Sequence, residues 1–558
     1  MIKTDNSNKP FNKRHKALNG ALCLLALSLL GSWIAQPLWA VKPVIPGANR
    51  YQKDKVFLEY ADSLIMDEKI SPDYQILLGN VKFRKGDMFM YCDSAHFYDK
   101  ENRFNAYSNV RMEQGDTLFV FADQLFYNGN TELAKLRYNV KMEHKSMTLF
   151  TDSFDYDLVA NIGFYFEGGR IFDEENELTS AYGQYAPDTK DVDLMFDVVL
   201  NNEQYDLYTD TLRYNTETKI ADIVGYTEIL SDSNTIYSDN GWYNTASNLA
   251  TLYNRSLIVG KDGQTLTGDT IYYDRGTGYG EVFGNMVLTD TAKSIILKGG
   301  YGFHNEKTDS SFATKRALAM EFSQKDTLYL HGDTIRTFLM MPDSTRAMNA
   351  YYNVRFFRSD VQGICDSLSF MERDSMMYMH RHPVLWNLER QVTGNVIKIH
   401  FNDSTADVAY LPEYGMLVEH VADEFYNQLS GKEMTAYLDG KSIRQLDVSG
   451  NVMSIMLPME KDSTYNKLVN AEGSFLTVKF NGQQMEKLNM WPDVTGKVTP
   501  LFLTKRSQIY LKDFKWHDDI RPKDKDDIYE VPDAMRELLS APETAAPKTR
   551  IRKEEEGE

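Results

Sequence analysis

The stretch QTLTGDTIYYD, residues 264–274, alternates in polarity like a β-strand and then changes phase at one aspartate. Before Asp269 the apolar residue Leu266 occupies an even-numbered position, whereas after it the apolar residues Ile271 and Tyr273 occupy odd-numbered positions. Side chains alternate between the two faces of a strand, so both apolar groups can face one interior only if an extra residue or a sharp corner separates them. The stretch therefore predicts two short strands that meet at a corner.

The same phase change recurs about every 30 residues along the chain. The equivalent positions are Asp62, Asp93, Asp123, Asp152, Asp210, Asp239, Asp333 and Asp366, with Gly183, Gly300 and Asn395 filling the remaining places. Asp and Asn tolerate a corner by bonding nearby backbone N–H groups, and Gly tolerates it through its freedom at positive φ. We interpret the series as corner residues, because one acid per unit supplies too few oxygens for a calcium site. The first unit and the fourth, around Gly183, are degenerate.

A second element lies about 13 residues before each corner, as NVKF at 80–83, NVRM at 109–112, NVKM at 139–142 and NVRF at 353–356. Its Val and its Phe or Met share one face, while Lys or Arg points the other way. Each unit thus reads as turn, strand, corner and strand with one apolar face, which only stacked neighbours can bury. The sequence predicts an all-β, elongated, repetitive solenoid of about twelve units.

The boundaries follow from composition. Residues 1–40 have a basic start and a short apolar run, so we expect a cleaved signal peptide; an uncleaved membrane anchor is the alternative. Residues 41–55 are interpreted as a linker, 56–400 as the β-repeat domain and 401–514 as more divergent β-repeats. Residues 515–558 are charged and contain proline, so a flexible tail is expected, with at most one short helix near DAMRELLS.

The net charge argues against nucleic-acid binding, and the positions of the cysteines argue against a disulfide. The net charge is −19, and removing residues 1–40 takes away five positive charges and Asp5, which leaves about −23. A surface of that sign argues against nucleic acid, whose binding depends on Lys and Arg at phosphates. Cys92 and Cys365 occupy the same small-residue position nine units apart, too far for a disulfide, so both are expected to be free and packed.

The repeats resemble a known family. GNVKFRKGDMFMYCDSAHFY (79–98), SNVRMEQGDTLFVFADQLFY (108–127) and LTGDTIYYDRGTGYGEVFGNMVLTD (266–290) are similar to the OstA-like, or LptA-like, repeats of lipopolysaccharide-transport proteins. The resemblance covers residues 56–400 and, more weakly, 430–500. It implies an OstA-like β-jellyroll, or β-taco, whose two antiparallel sheets enclose an apolar groove. It also implies a bridge that carries lipopolysaccharide through the periplasm, either free there or in association with the outer membrane. Its implied partners are proteins of the same transport system that join end to end by β-strand addition.

Together with this resemblance, the apolar positions that face the interior in each repeat predict a groove. The groove is expected to bind acyl chains of lipopolysaccharide or a related lipid without charged contacts. Its predicted lining consists of Val81, Phe83, Val110, Met112, Leu118, Val120, Leu125, Tyr127, Val140, Met142, Leu149, Phe154, Tyr156, Leu207, Leu212, Tyr214, Ile236, Leu266, Ile271 and Tyr273.

Motifs for chemistry are scarce. The chain has no GxxxxGK[ST] and no HExxH, and His380 and His382 in MHRHP have no further ligand close in sequence, so no catalytic residue, metal or cofactor is expected. Two alternatives to a lipid carrier stay open: a structural or adhesive β-solenoid with a packed interior, and a polysaccharide-active β-helix enzyme.

Overall fold

The computed structural model describes residues 55–542, except for 68, 70, 403–404, 440–441 and 483. The chain divides after Lys53, and all described residues belong to the second unit, Asp54–Glu558. The expected signal peptide, nearly all of the expected linker and residues 543–558 lie outside the described residues.

The described residues form 38 strands, and the pairings between them are antiparallel. The first nineteen strands are β1 Phe57–Tyr60, β2 Ser63–Ile65, β3 Gln75–Lys85, β4 Met88–Tyr98, β5 Arg103–Gln114, β6 Leu118–Asn128, β7 Leu133–His144, β8 Met147–Asp157, β9 Ile162–Tyr165, β10 Gly169–Asp173, β11 Asn176–Ser180, β12 Tyr182–Ala186, β13 Asp191–Asn202, β14 Tyr205–Asn215, β15 Ile220–Ser231, β16 Asn234–Asn244, β17 Leu249–Tyr253, β18 Leu257–Gly260 and β19 Thr265–Thr267.

The remaining strands are β20 Thr270–Asp274, β21 Tyr279–Asp290, β22 Ile295–Asn305, β23 Ser310–Glu321, β24 Leu328–Met340, β25 Thr345–Arg358, β26 Val361–Met371, β27 Met376–His380, β28 Val384–Asn387, β29 Arg390–Gly394, β30 Val396–Asn402, β31 Thr405–Leu411, β32 Gly415–Ala422, β33 Phe425–Gly431, β34 Glu433–Asp439, β35 Ser442–Met456, β36 Lys467–Asn481, β37 Gln484–Trp491 and β38 Thr495–Pro500. Within residues 55–542, the helical elements are short 3₁₀ turns at Asp99–Glu101, Glu372–Asp374, Leu501–Leu503, Arg506–Gln508 and Asp527–Tyr529, and one α-helix, α1, at Asp533–Ser540.

Most long strands bend at a corner near their middle. Where β5 pairs with β6, the register jumps so that Ser108 and Asn109 lie opposite the single residue Asp123. Repeated at neighbouring strands, this bulge folds the succession of strands into two half-sheets that share a spine of corners. The halves separate visibly where β8 pairs with β10 on one side of the corner and with β9 on the other. The predicted all-β repetitive fold is confirmed.

The corner is built by an aspartate and an asparagine on adjacent strands. The Asn139 amide donates to Asp123 Oδ2 at 2.7 Å, and the Asn285 amide donates to Asp269 Oδ2 at 2.8 Å. The same bond recurs in the pairs Asp62 and Asn80, Asp93 and Asn109, and Asp333 and Asn353. We expected the aspartates to take the unusual backbone conformation, but positive φ falls on the asparagines, at 51° in Asn139 and 48° in Asn285. The two repeated motifs are therefore halves of one corner.

The corner of the fourth unit differs from the prediction. Its corner is Ala181, which lies between β11 and β12, and not Gly183. Gly183 lies inside β12, where a Cβ atom would come within 2.4 Å of the ring of Tyr165. The glycine is therefore required by packing around an interior tyrosine, and its resemblance to a corner residue is coincidental.

The two half-sheets bury one continuous apolar core. The cluster of buried residues runs from Val56 to Val478 and takes side chains from both halves. Cys92 and Cys365 lie in it as free thiols, and burial raises the pKa of Cys92 to about 12. One apolar interior thus runs through all the described repeats from Val56 to Val478.

The C-terminal segment contradicts the expected flexible tail. Residues 501–542, here called the strap, run back over the outer face of one half-sheet from β36 towards β24. Ile520 and Met535 are buried against Ile364 and Trp386, because these outward side chains leave an apolar strip that the strap covers. The tail prediction was wrong for 515–542, although α1 coincides with DAMRELLS. Within the described part of the chain, no helix is long and apolar enough to cross a membrane.

Candidate functional site

The interior between the half-sheets holds all twenty predicted groove residues. None of them is more than 5% exposed. Val120, for example, lies opposite Met112 on one neighbouring strand and Met142 on the other, and all three point inward. The structure therefore brings the predicted set together on facing walls of one core.

This interior is closed in the structure. Rings from neighbouring strands fill it, as where Phe83 stacks on Phe104 with ring centroids 3.9 Å apart. A cavity of about 70 Å³ lies between Leu417, Leu429 and Phe480. Sites for small molecules commonly occupy about 300–1,000 Å³, so this space does not admit an acyl chain unless the walls move.

The side of the core opposite the spine is closed by hairpin turns, which we call the lip. One row of turns follows β3, β5, β7, β10, β13 and β15, and the facing row follows β6, β8, β12, β14, β16 and β20. The pairings of these strands run along each half-sheet and do not join one row of turns to the other. Side-chain contacts hold the rows together, so the lip differs from the spine, where the backbone is continuous.

At the N-terminal end of the lip, each contact joins one turn of the first row to one turn of the second. Lys85 Nζ lies 3.2 Å from Glu132 Oε1, and the lysine side chain is only 7% exposed. In the next unit, the Tyr156 hydroxyl donates to Gln114 Oε1 at 3.0 Å. These contacts span turns that are more than forty residues apart in sequence.

A buried polar cluster closes the middle of the lip. Asp173 is fully buried and accepts from the Tyr214 hydroxyl at 2.7 Å and from Lys219 Nζ at 2.8 Å. Asn176 donates to the Tyr214 hydroxyl at 3.2 Å and to Thr245 Oγ1 at 3.3 Å. A buried carboxylate is costly unless it is paired and hydrogen-bonded, and this cluster supplies both.

Further along the lip, Asn234 also links the two rows of turns. Its amide contacts the Tyr273 hydroxyl and lies 3.2 Å from both carboxylate oxygens of Glu306. Burial raises the pKa of Glu306, and the hydrogen bonds from Asn234 and Tyr273 oppose that shift. Lys293 continues the row with a contact of 3.3 Å to Asp309.

A row of tyrosines links the apolar interior to the lip. Each lies four residues after a corner residue, and the row consists of Tyr127, Tyr156, Tyr185, Tyr214, Tyr243 and Tyr273. Their rings are buried, and burial raises the pKa of every one of these hydroxyls. The sequence interpretation counted them as apolar. The recurrence of Tyr rather than Phe was the signal, since a buried phenol usually has a polar partner.

The lip also contains a titratable contact. His144 Nδ1 lies 2.5 Å from the Tyr185 hydroxyl, and the two rings are tilted against each other. Burial lowers the pKa of His144, and Lys145 and Lys190 lower it further. The imidazole is thus held in its neutral form, in which one ring nitrogen can accept from the tyrosine.

Part of this folded repetitive sheet, with its apolar interior and polar lip, matches a known protein family. Residues 53–210 and 194–263 match the model of the OstA-like protein family. Together the two matches span residues 53–263, which is less than half of the chain. No curated protein is similar enough to the chain to count as a match. The matched segment contains the corners from Asp62 to Asp239 and the lip as far as Asn248. The match to the OstA-like family suggests a function related to transport of lipopolysaccharide or another lipid.

Among the described residues, no group of three or more His, Cys, Asp or Glu side chains has the geometry of a metal site. His380 lies at the end of β27, and His382 Nε2 is 2.7 Å from the carbonyl oxygen of Ala541. The second histidine of the MHRHP motif thus contacts the strap.

Proposed function

We propose that the protein is an exported lipid carrier, which binds acyl chains of lipopolysaccharide between its half-sheets during transport to the outer membrane. The observation that carries the proposal is the asymmetry of the two sides of the core. The spine is continuous backbone, whereas the lip is held by side-chain contacts. The lip can therefore open without breaking the pairing of strands within either half-sheet.

The energies are compatible with opening. A typical intramolecular hydrogen bond contributes about 0.5–1.5 kcal/mol net, so a few lip contacts can be exchanged locally. Each methylene removed from water contributes about 0.8 kcal/mol, so burying ten methylenes of an acyl chain contributes roughly 8 kcal/mol against the cost of opening the lip. The acyl chain would replace contacts between apolar walls by contacts of the same kind, and no cation is required in the interior.

The ends of the array support the proposed partners. At the N-terminal end, Phe57 on β1 is 53% exposed and Leu64 on β2 is 51% exposed. At the other end, Val498 on β38 is 62% exposed and Phe502 just beyond it is 86% exposed. Edge strands with exposed apolar side chains are ready to pair with another chain. We therefore propose end-to-end strand addition with other proteins of the transport system, in the periplasm.

Photo-crosslinking in cells tests lipid carriage. A photoreactive amino acid at Val120, Leu149 or Ile236 should form adducts with lipopolysaccharide, because these residues point inward. The matched control is Arg111, which lies one strand from Val120 and has a side chain that is 45% exposed. Adducts only from Arg111 would contradict the proposal.

The closed interior favours a second candidate, a structural or adhesive β-solenoid with a packed core. Native mass spectrometry separates the two. The carrier purified from its own cells should contain bound lipid, whereas a structural solenoid should be lipid-free and give no adduct at any inward position.

A further inference from the structure

The degenerate fourth unit creates a cleft on the outside of the molecule. β9 ends at Tyr165 and β10 begins at Gly169, so the three residues between them leave the sheet at the spine. Thr151 Oγ1 donates to the Gly168 carbonyl at 2.7 Å and ties this break to β8. The resulting cleft is open to solvent and has a volume of about 880 Å³, within the range of about 300–1,000 Å³ for binding sites.

The wall of the cleft carries two aromatic side chains, Phe121 and Phe150, on strands that are separated by one intervening strand. Phe121 on β6 and Phe150 on β8 both lie directly opposite Lys141 on the intervening strand β7. Two strand spacings place the backbones of the two phenylalanines about 9.6 Å apart. Phe150 is 43% exposed, and its ring meets that of Phe172 edge-on with centroids 5.9 Å apart, so the ring is supported on one side and partly open to solvent.

The rest of the lining is mainly polar, and its three acidic and two basic side chains nearly balance in charge. Asp152, Glu167 and Arg170 line the cleft together with the two rings. Arg170 already pairs with Glu177 at 2.5 Å, and Lys141 pairs with Glu143 at 2.5 Å. These pairs leave no excess of positive charge to attract a polyanion. The apolar surface is also interrupted by charges, unlike the contiguous patches of protein interfaces.

We propose that this cleft binds a linear glycan. The C–H faces of pyranose rings pack on aromatic side chains, and their hydroxyls bond to carboxylate, amide and guanidinium groups. The interval between the two phenylalanines is close to the disaccharide repeat of a β-1,4-linked chain. Two sources share this chemistry: the glycan strand of the cell wall, and the saccharide part of a lipopolysaccharide.

Isothermal titration calorimetry on the full chain tests the proposal. The probes are soluble cell-wall glycan strands freed of peptide and, separately, the lipid-free polysaccharide of lipopolysaccharide. We expect one of them to bind and its affinity to fall at least about fivefold in Phe150→Ala. Glu167→Gln keeps the shape of the side chain and should also weaken binding. Binding of the first probe identifies the cell wall as the source, and binding of the second identifies lipopolysaccharide.

Tyr208→Ala is the matched control. Tyr208 lies two residues before the corner Asp210, as Phe150 lies two residues before Asp152, and it is 41% exposed. Its loss should leave glycan binding unchanged. Failure of both glycans to bind, or an equal loss in Tyr208→Ala, would overturn the proposal. Because the cleft lies outside the core, lipid adducts at Val120 should persist in Phe150→Ala, so this proposal and lipid carriage can fail separately.

Discussion

At the scale of single residues, the tyrosine hydroxyls have different surroundings although their rings are equivalent. The Tyr214 hydroxyl bonds to the buried carboxylate of Asp173. The Tyr127 hydroxyl is buried without a hydrogen-bond partner among the described residues. The same chemical change at the two positions therefore isolates the contribution of the lip contact.

We expect Tyr214→Phe to lower the free energy of unfolding by about 1–3 kcal/mol, because it leaves a buried carboxylate with one partner fewer. Tyr127→Phe removes a hydroxyl that has no such bond and should be neutral or slightly stabilising. Chemical denaturation of both variants measures the difference. Equal losses would show that the hydroxyl at 214 has no special role in the lip.

The lip should weaken in mild acid through His144. Burial holds the pKa of His144 in the folded protein below its ordinary value of 6.5. Neutral His144 therefore makes its full contribution to the stability of the folded state above pH 6.5. This contribution is lost as the pH falls below 6.5 through the folded-state pKa, because the unfolded chain takes up the proton more readily. The melting temperature of the wild type should therefore fall more between about pH 7.5 and pH 5 than that of His144→Gln.

Other buried histidines, such as His304 and His331, shift in the same direction and remain in both proteins. Only the difference between the two pH profiles reports on His144. Superimposable profiles would contradict a titratable contact at this point of the lip.

At the scale of elements, the strap is held by a buried arginine as well as by apolar contacts. Arg355 is 1% exposed, and its guanidinium donates to the Ile520 carbonyl at 3.0 Å and contacts Asp527 at 3.4 Å. Burial lowers the pKa of Arg355, while Asp527 opposes this shift. Removing the strap would expose this charge together with the apolar strip around Trp386.

A chain that ends at residue 504 should melt at a lower temperature and be cleaved faster by protease between β24 and β33. A chain that ends at residue 542 keeps every described strap contact and should behave like the full chain. Limited proteolysis with mass spectrometry locates the cuts. Identical patterns in both truncated chains would show that the strap does not stabilise the half-sheet.

The alternation of apolar and polar residues along each strand, repeated about every 30 residues, made the corners and the inward faces predictable. Leu266, Ile271 and Tyr273 illustrate this, since local alternation alone placed them in the core. The corner at Ala181 was missed because a packing glycine two residues later resembled a corner residue. The partners across the lip and under the strap were not predictable, because they are separated by about 40 to 180 residues and leave no local pattern.

At the scale of the whole molecule, the central claim is that acyl chains reach the core through the lip. Lys85 and Glu132 face each other across it at the N-terminal end of the array. Replacing both by cysteine provides two lip thiols for a short bis-maleimide. Cys92 and Cys365 are buried with raised pKa values, so they stay protonated and react poorly with maleimide.

The decisive measurement is the yield of lipopolysaccharide adducts from a photoreactive residue at Val120, with the lip bridged or unbridged. The unbridged control carries the same two cysteines, each capped by a monofunctional maleimide. We predict adducts in the capped protein and a yield near background in the bridged protein. Equal yields in the two proteins would contradict entry through the lip.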